Sequence, residues 1–271
     1  MRGMTSARSR FLPITVVLTV FSWAALWLWG GSPYGRYLDH GSWVGNGSVL
    51  AICHALPDGE RLVPLALYVG GWLLMISAMM LPTTLPLLDR FDRVVRERPD
   101  RRRLIALVIS GYLIVWLGFG AIAHLADSGL HKAAQQWIWL SFNGWAIGAA
   151  IVAAAGLFQF SRLKYHCLSR CRTPFSFIAK HWHGPNPLRS ALLLGLDHGI
   201  FCVGCCWAIM LLMFVVGTGN IAWMLGLGVI MAVEKNTRWG AYLSSPLGGA
   251  LLASAAAIIA VNLARGAAFL D

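Results

Sequence analysis

Long apolar runs divided by short, mostly basic segments set the pattern of this chain. Crossing the hydrocarbon core of a bilayer as an α-helix takes about 20 predominantly apolar residues. Runs free of Asp, Glu, Lys and Arg reach that length at 11–35, 62–88, 104–126, 133–161 and 239–264. From Ser190 to Val233 the only ionisable pair is Asp197–His198, yet this run is too long for one crossing. The Gly-Thr-Gly-Asn sequence at 217–220 supplies a turn that divides it. The pattern therefore predicts an all-α, polytopic transmembrane helical bundle of about seven spans, near 11–29, 64–88, 104–126, 139–160, 190–216, 221–234 and 243–264. Residues 1–271 are expected to form a single integral membrane domain.

The distribution of charge orients this bundle. With the N-terminus inside, the cytoplasmic segments hold 18 of the 22 Lys and Arg: three before the first helix, seven in Asp89–Arg103, six in Arg162–Arg189, and Lys235 with Arg238. Arg36, Arg61, Lys132 and Arg265 fall outside. The positive-inside rule then favours a cytoplasmic N-terminus. The segment 11–29 follows a basic stretch as a secretory signal would, but it is long enough to span and no A-x-A cleavage pattern follows at once, so a retained signal anchor is expected. Trp27, Trp29, Trp137 and Trp139 lie near span ends, where indoles anchor at the headgroup level.

Composition agrees. Of 271 residues, 58% are hydrophobic and 12% charged, with a mean hydropathy of +0.64, and no stretch is polar enough for a separate water-soluble core. The net charge of +11 would suit a nucleic-acid partner, but the basic residues sit between apolar runs as loop charges do, so none is expected. The expected location is a bacterial cytoplasmic (inner) membrane.

Chemistry concentrates in the fifth predicted helix, Asp197-His198-Gly-Ile-Phe-Cys202-Val-Gly-Cys205-Cys206-Trp207. At 100° per residue, His198, Cys202, Cys205 and Cys206 share about a third of the circumference, with Met213 continuing the stripe. Imidazole, thiol and thioether in succession suit Cu(I), Zn(II) or an iron–sulfur centre. Asp197, ionisable inside a span, is costly unless paired or used. In the second helix Met75 and Met79 lie one turn apart with Met80 beside them, before Pro82, which frees a carbonyl and kinks the helix. Cys167 and Cys171, with His181 and His183 following, form a Cys-x3-Cys pair among basic residues, suited to a metal, to a thiol pair or to neither. Asp39, His40, Cys53 and His54, then His124, Asp127 and His131, are outer-face candidates for capturing an ion. Glu234 and Lys235 read as the cytoplasmic end of the sixth helix, with Glu234 paired to a basic neighbour.

Three ordered motifs add a resemblance: W-x-x-M-x-x-x-M-M-x-P-x-x-x-P at Trp72–Pro86, F-Q-x-S-x-x-K-x-x-C-L-x-x-C-R at Phe158–Arg172, and C-V-G-C-C-W-x-x-M at Cys202–Met210, followed by Glu234-Lys235. Together they resemble the domain-of-unknown-function family of predicted metal-binding integral membrane proteins, whose members are sometimes labelled copper chaperones. The resemblance spans roughly Trp72–Lys235. It implies a membrane-embedded metal protein with the quoted cysteines and methionines as ligands, and it says nothing of Cys53, His54 or the outer histidines.

The favoured expectation is binding and handling of a soft metal ion, copper first and zinc as the alternative, by transport or delivery. The expected ligands are Met75, Met79, Met80, Cys167, Cys171, His198, Cys202, Cys205 and Cys206. The expected partners are the ion, the lipid bilayer and a membrane cuproenzyme or soluble metal carrier. Two readings compete: a membrane thiol-disulfide oxidoreductase, and a non-catalytic assembly factor of a membrane complex. No Walker loop, nucleophile elbow or H-E-x-x-H helix is present, so neither a hydrolase nor an ATP-driven pump is expected, and the preferred metal-handling role is not an enzymatic one.

Overall fold

The computed structural model describes residues 11–32, 62–183, 185–217 and 220–267. Every regular element among them is helical: α1 (Phe11–Gly30), α2 (Leu62–Met79), a 3-10 turn (Leu81–Thr84), α3 (Leu85–Val94), α4 (Arg101–Gln136), α5 (Ile138–Phe142), α6 (Trp145–Phe158), α7 (Arg162–Cys171), α8 (Pro174–His181), α9 (Pro187–Val216), α10 (Ile221–Asn236), a second 3-10 turn (Gly240–Leu243) and α11 (Ser244–Ala267).

Local chemistry sets the helix starts. Asn186 accepts from the backbone N–H of Leu188 and Arg189, with Pro187 in the first turn where its missing N–H costs nothing. Ser161 caps α7 through the Lys164 N–H, and Asn220 caps α10 through the Trp223 N–H. At the other end of α9, Gly217 takes a φ of 100°, a conformation that favours glycine, so the chain turns where the sequence indicated.

Helix α9 is the axis of the bundle. It packs most extensively on α4 and also meets α6, α7, α8 and α10, while α11 lies on α6 and α1 on α2. The α4–α9 approach is close because Gly195 rests on the Val108 carbonyl, where any Cβ would collide. Small residues at such contacts let helix backbones approach in a membrane protein. The main core runs from Trp72, Met75 and Ile76 through Trp116 to Ile209, Met213 and Met231. A second cluster, including Leu87, Phe91, Leu104 and Phe177, closes the basic end under α3 and α8.

Three helices are long and apolar enough to cross a membrane: Arg101–Ala134, Pro187–Val216 and Gly240–Arg265. The number rises to five if two bent pairs each count once, Tyr68–Met79 with Leu81–Val94 (49°) and Trp145–Phe158 with Arg162–Cys171 (65°). The seven apolar stretches are largely helical where described, but 64–88 and 139–160 are each broken, and α10, at 16 residues, rises only about 24 Å. Trp27, Trp137 and Trp139 are well exposed.

Two differences from the sequence reading concern charge. Lys164 and Lys235, counted among the cytoplasmic loop charges, are both buried inside the bundle. The stretch 162–171, treated as loop, is a helix lying against α9 and α10. A lysine flanked by apolar residues reads as a boundary in sequence, whereas here the fold supplies each ammonium with internal acceptors. Asp39, His40, Cys53 and His54 lie outside the described residues.

Candidate functional site

The site forms where α7, α9, α10 and the break after α2 meet. Helical spacing puts Cys202, Cys205 and Cys206 on the buried side of α9, at no more than 1% exposure. Cys205 Sγ lies 3.4 Å from Cys206 Sγ and 3.9 Å from Cys171 Sγ on α7. Sulfurs sharing one ion through bonds of about 2.3 Å are at most about 4.6 Å apart, so both pairs are within reach of a common metal. Among the described residues no three His, Cys, Asp or Glu side chains converge into a metal-binding group. The thiols therefore offer neighbouring pairs rather than a closed triad.

Helix α7 is held against these thiols by shape. A Cβ on Gly204 would stand 2.7 Å from Cys167 Sγ, so the missing side chain makes the seat in which that sulfur rests. One turn on, the half-buried Cys171 reaches Cys205. The Cys-x3-Cys spacing thus places both α7 thiols along α9.

The third thiol has different company. Cys202 Sγ receives the Lys235 ammonium at 2.8 Å, with the Tyr112 hydroxyl at 3.0 Å. Lys235 Nζ also donates to Thr83 Oγ1 at 3.4 Å and lies 3.9 Å from Met80 Sδ. Both partners sit at the break after α2. Pro82 cannot continue the α2 hydrogen-bond ladder, and the turn that follows brings Thr83 and Met80 to face α10.

A second polar cluster adjoins it. Lys164 Nζ donates to both oxygens of Glu234, at 2.8 and 3.0 Å, and also to Gln159 Oε1, while the Ser244 hydroxyl donates to Glu234 at 2.7 Å. Arg172 donates to the carbonyls of Thr237 and Arg238 at 2.7 and 2.8 Å, tying down the end of α10. Buried polar groups persist in apolar surroundings when paired in this way.

The remaining sequence candidates divide. Met80 joins the thiol site through Lys235, whereas Met79 packs on Gly228 of α10, and Met75 is buried in the same core. His198 is buried between the rings of Tyr112 and Phe177, and its Nδ1 has no hydrogen-bond partner among the described atoms. Asp197 pairs with Lys180 and His181, at 2.8 and 2.9 Å. His131 lies 3.5 Å from an Asp127 carboxylate oxygen, and the His124 ring lies tilted against Tyr68 with centroids 4.3 Å apart.

Among the described residues no cluster of carboxylates adjoins the thiols, whose surroundings are apolar, and soft sulfur donors in general suit cuprous ion. A family model described as a copper chaperone, PpoB2, matches residues 69–258. The chain belongs to this copper chaperone family. The matched segment includes all four walls of the site, from the Met80 break to the end of α10. No curated protein and no solved structure gave a match.

Sequence reasoning missed Tyr112, Thr83 and the inward role of Lys235. Tyr112 and Thr83 carry no pattern of their own. Lys235 was visible only as a charge ending an apolar run, although the paired Glu234-Lys235 was part of the family resemblance.

Proposed function

We propose that this protein is a membrane-embedded copper chaperone that binds Cu(I) through sulfur and hands it on to a membrane cuproenzyme or a soluble carrier. The observation that carries this reading is the run of sulfurs from half-buried Cys171 to buried Cys205 and Cys206, in steps of 3.9 and 3.4 Å. Copper is the cargo. It enters the buried pair, exchanges between neighbouring thiols without leaving sulfur, and reaches Cys171 as the exit ligand, with Cys167 behind it. Met75, Met79 and Met80 line the α2 side as thioethers, which keep their donor capacity at any pH, and His198 lies one turn before Cys202 on α9.

The bundle in this reading is a single membrane domain of seven spans with a cytoplasmic N-terminus, in a bacterial inner membrane. Support comes from the seven apolar stretches and from the basic segments near Asp89–Arg103 and Arg162–Arg189.

The test is metal content. Reduced, detergent-solubilised protein exposed to Cu(I) or Zn(II), then stripped of loose metal, retains about one Cu(I) per chain in this account. Failure to retain either metal stoichiometrically overturns it. The 3.9 Å approach of Cys171 to Cys205 also suits the alternative, a thiol-disulfide oxidoreductase. That reading requires a trapped mixed disulfide with a partner, lost in Cys205→Ser.

A further inference from the structure

We propose that Lys235 is the internal counter-ion of the metal-loaded site, matching its charge to a monovalent ion held by two thiolates and so selecting Cu(I) over Zn(II). The inference rests on the copper reading and adds to it what sets the metal.

The Lys235 side chain reaches into the bundle from the end of α10 and is nearly fully buried. Its Nζ meets Cys202 Sγ at 2.8 Å, Thr83 Oγ1 at 3.4 Å and Met80 Sδ at 3.9 Å, one acceptor for each ammonium proton. None of the three is a carboxylate. The adjacent acid, Glu234, is committed to Lys164, with Ser244 and Gln159 completing that cluster. Among the described residues, Lys235 has no ion-pair partner. An ammonium inside a bundle without a counter-charge is costly, and such groups mark function.

The missing charge is the one that a cuprous complex brings. Capture of Cu(I) by two thiols forms two Cu–S bonds, breaks two S–H bonds and releases two protons to the aqueous phase, with no change in oxidation state. The product, a bis-thiolate cuprate, carries one negative charge. Beside Lys235 the pair is neutral. Zn(II) on the same two thiolates makes a neutral complex and leaves the ammonium uncompensated, while three thiolates around Cu(I) leave an excess negative charge. The thiols occur as neighbouring pairs, Cys205–Cys206 and Cys205–Cys171, and the ammonium sits on Cys202, one helical turn before Cys206 on the same buried side of α9.

A purely structural lysine would hold Cys202, Met80 and Thr83 together and move stability alone. The experiment separates the two roles. Wild type, Lys235→Met and Lys235→Arg, reduced and metal-free in detergent, are titrated with Cu(I) against a chromophoric cuprous chelator and with Zn(II) against a zinc dye. Thermal unfolding of the metal-free proteins is followed in parallel. Lys235→Met should weaken Cu(I) by more than about a hundredfold, as loss of one partner of a buried charge pair does. It should leave Zn(II) unweakened, and Lys235→Arg should stay near wild type. Equal Cu(I) affinity in Lys235→Met and wild type, or equal losses for both metals, overturns the proposal while leaving the copper reading intact. No Cu(I) binding by wild type overturns the copper reading itself, and this inference with it. Should Lys235→Met fail to fold, X-ray absorption of Cu(I)-loaded wild type gives the answer: two sulfurs on copper support the charge match, and three overturn it.

Discussion

Lys164 and Glu234, 70 positions apart, form a buried ion pair in which the ammonium donates to both carboxylate oxygens, at 2.8 and 3.0 Å. It links α7 to α10 beside the thiols, and Ser244 extends it to the start of α11. Removing one partner leaves an unpaired charge out of water. Lys164→Met or Glu234→Leu alone should therefore cost about 3–5 kcal/mol, and the double variant should recover a large part of that loss. Denaturant unfolding in detergent measures it. Single variants as stable as wild type would contradict the pair's place in holding α7.

The seat of Cys167 on Gly204 gives a steric prediction. In Gly204→Ala the new methyl would stand 2.7 Å from Cys167 Sγ, so either the Cys167 side chain must turn from its seat or α7 must move off α9. Overpacking of this kind costs about 1–3 kcal/mol. Adding Cys167→Ala removes the colliding sulfur and should restore much of the stability, a coupling read from the double-mutant cycle. Simple additivity of the two losses would count against this packing.

The approach of Cys171 to Cys205 predicts a cross-link. With the metal-free protein, a two-electron thiol oxidant such as a diazenedicarboxamide should join these cysteines, taking up the two protons and two electrons as it is reduced to the hydrazine. Peptide mass spectrometry would find α7 linked to α9. Loading with Cu(I) first should suppress the product, since the same thiols then hold metal. A cross-link formed equally well with and without Cu(I) would separate Cys171 from the metal path.

Much of this was legible in the sequence because long apolar runs point directly to long helices. The helices at 11–30, 101–136, 187–216 and 244–267 follow directly from apolar run length. The sulfur face of α9 was equally readable, since Cys202, Cys205 and Cys206 are fixed on one side by helical geometry. Non-local pairing was hidden. Nothing in the spacing showed that α7 turns back so that Cys171 meets Cys205, or that His198 packs between Tyr112 and Phe177. Lys164 and Lys235 were misread for a definite reason: run length scores a charge as an end, while the fold satisfies these two inside. Pro82 was seen as a kink, but its consequence, turning Met80 and Thr83 toward Lys235, depends on where α10 lies.

The most direct measurement is a Cu(I) titration of reduced wild type beside the Cys202→Ser/Cys205→Ser/Cys206→Ser variant, both checked for native helicity. Wild type is expected to bind one equivalent tightly and the triple variant none. Equal tight binding by a folded triple variant would contradict a copper site on α9.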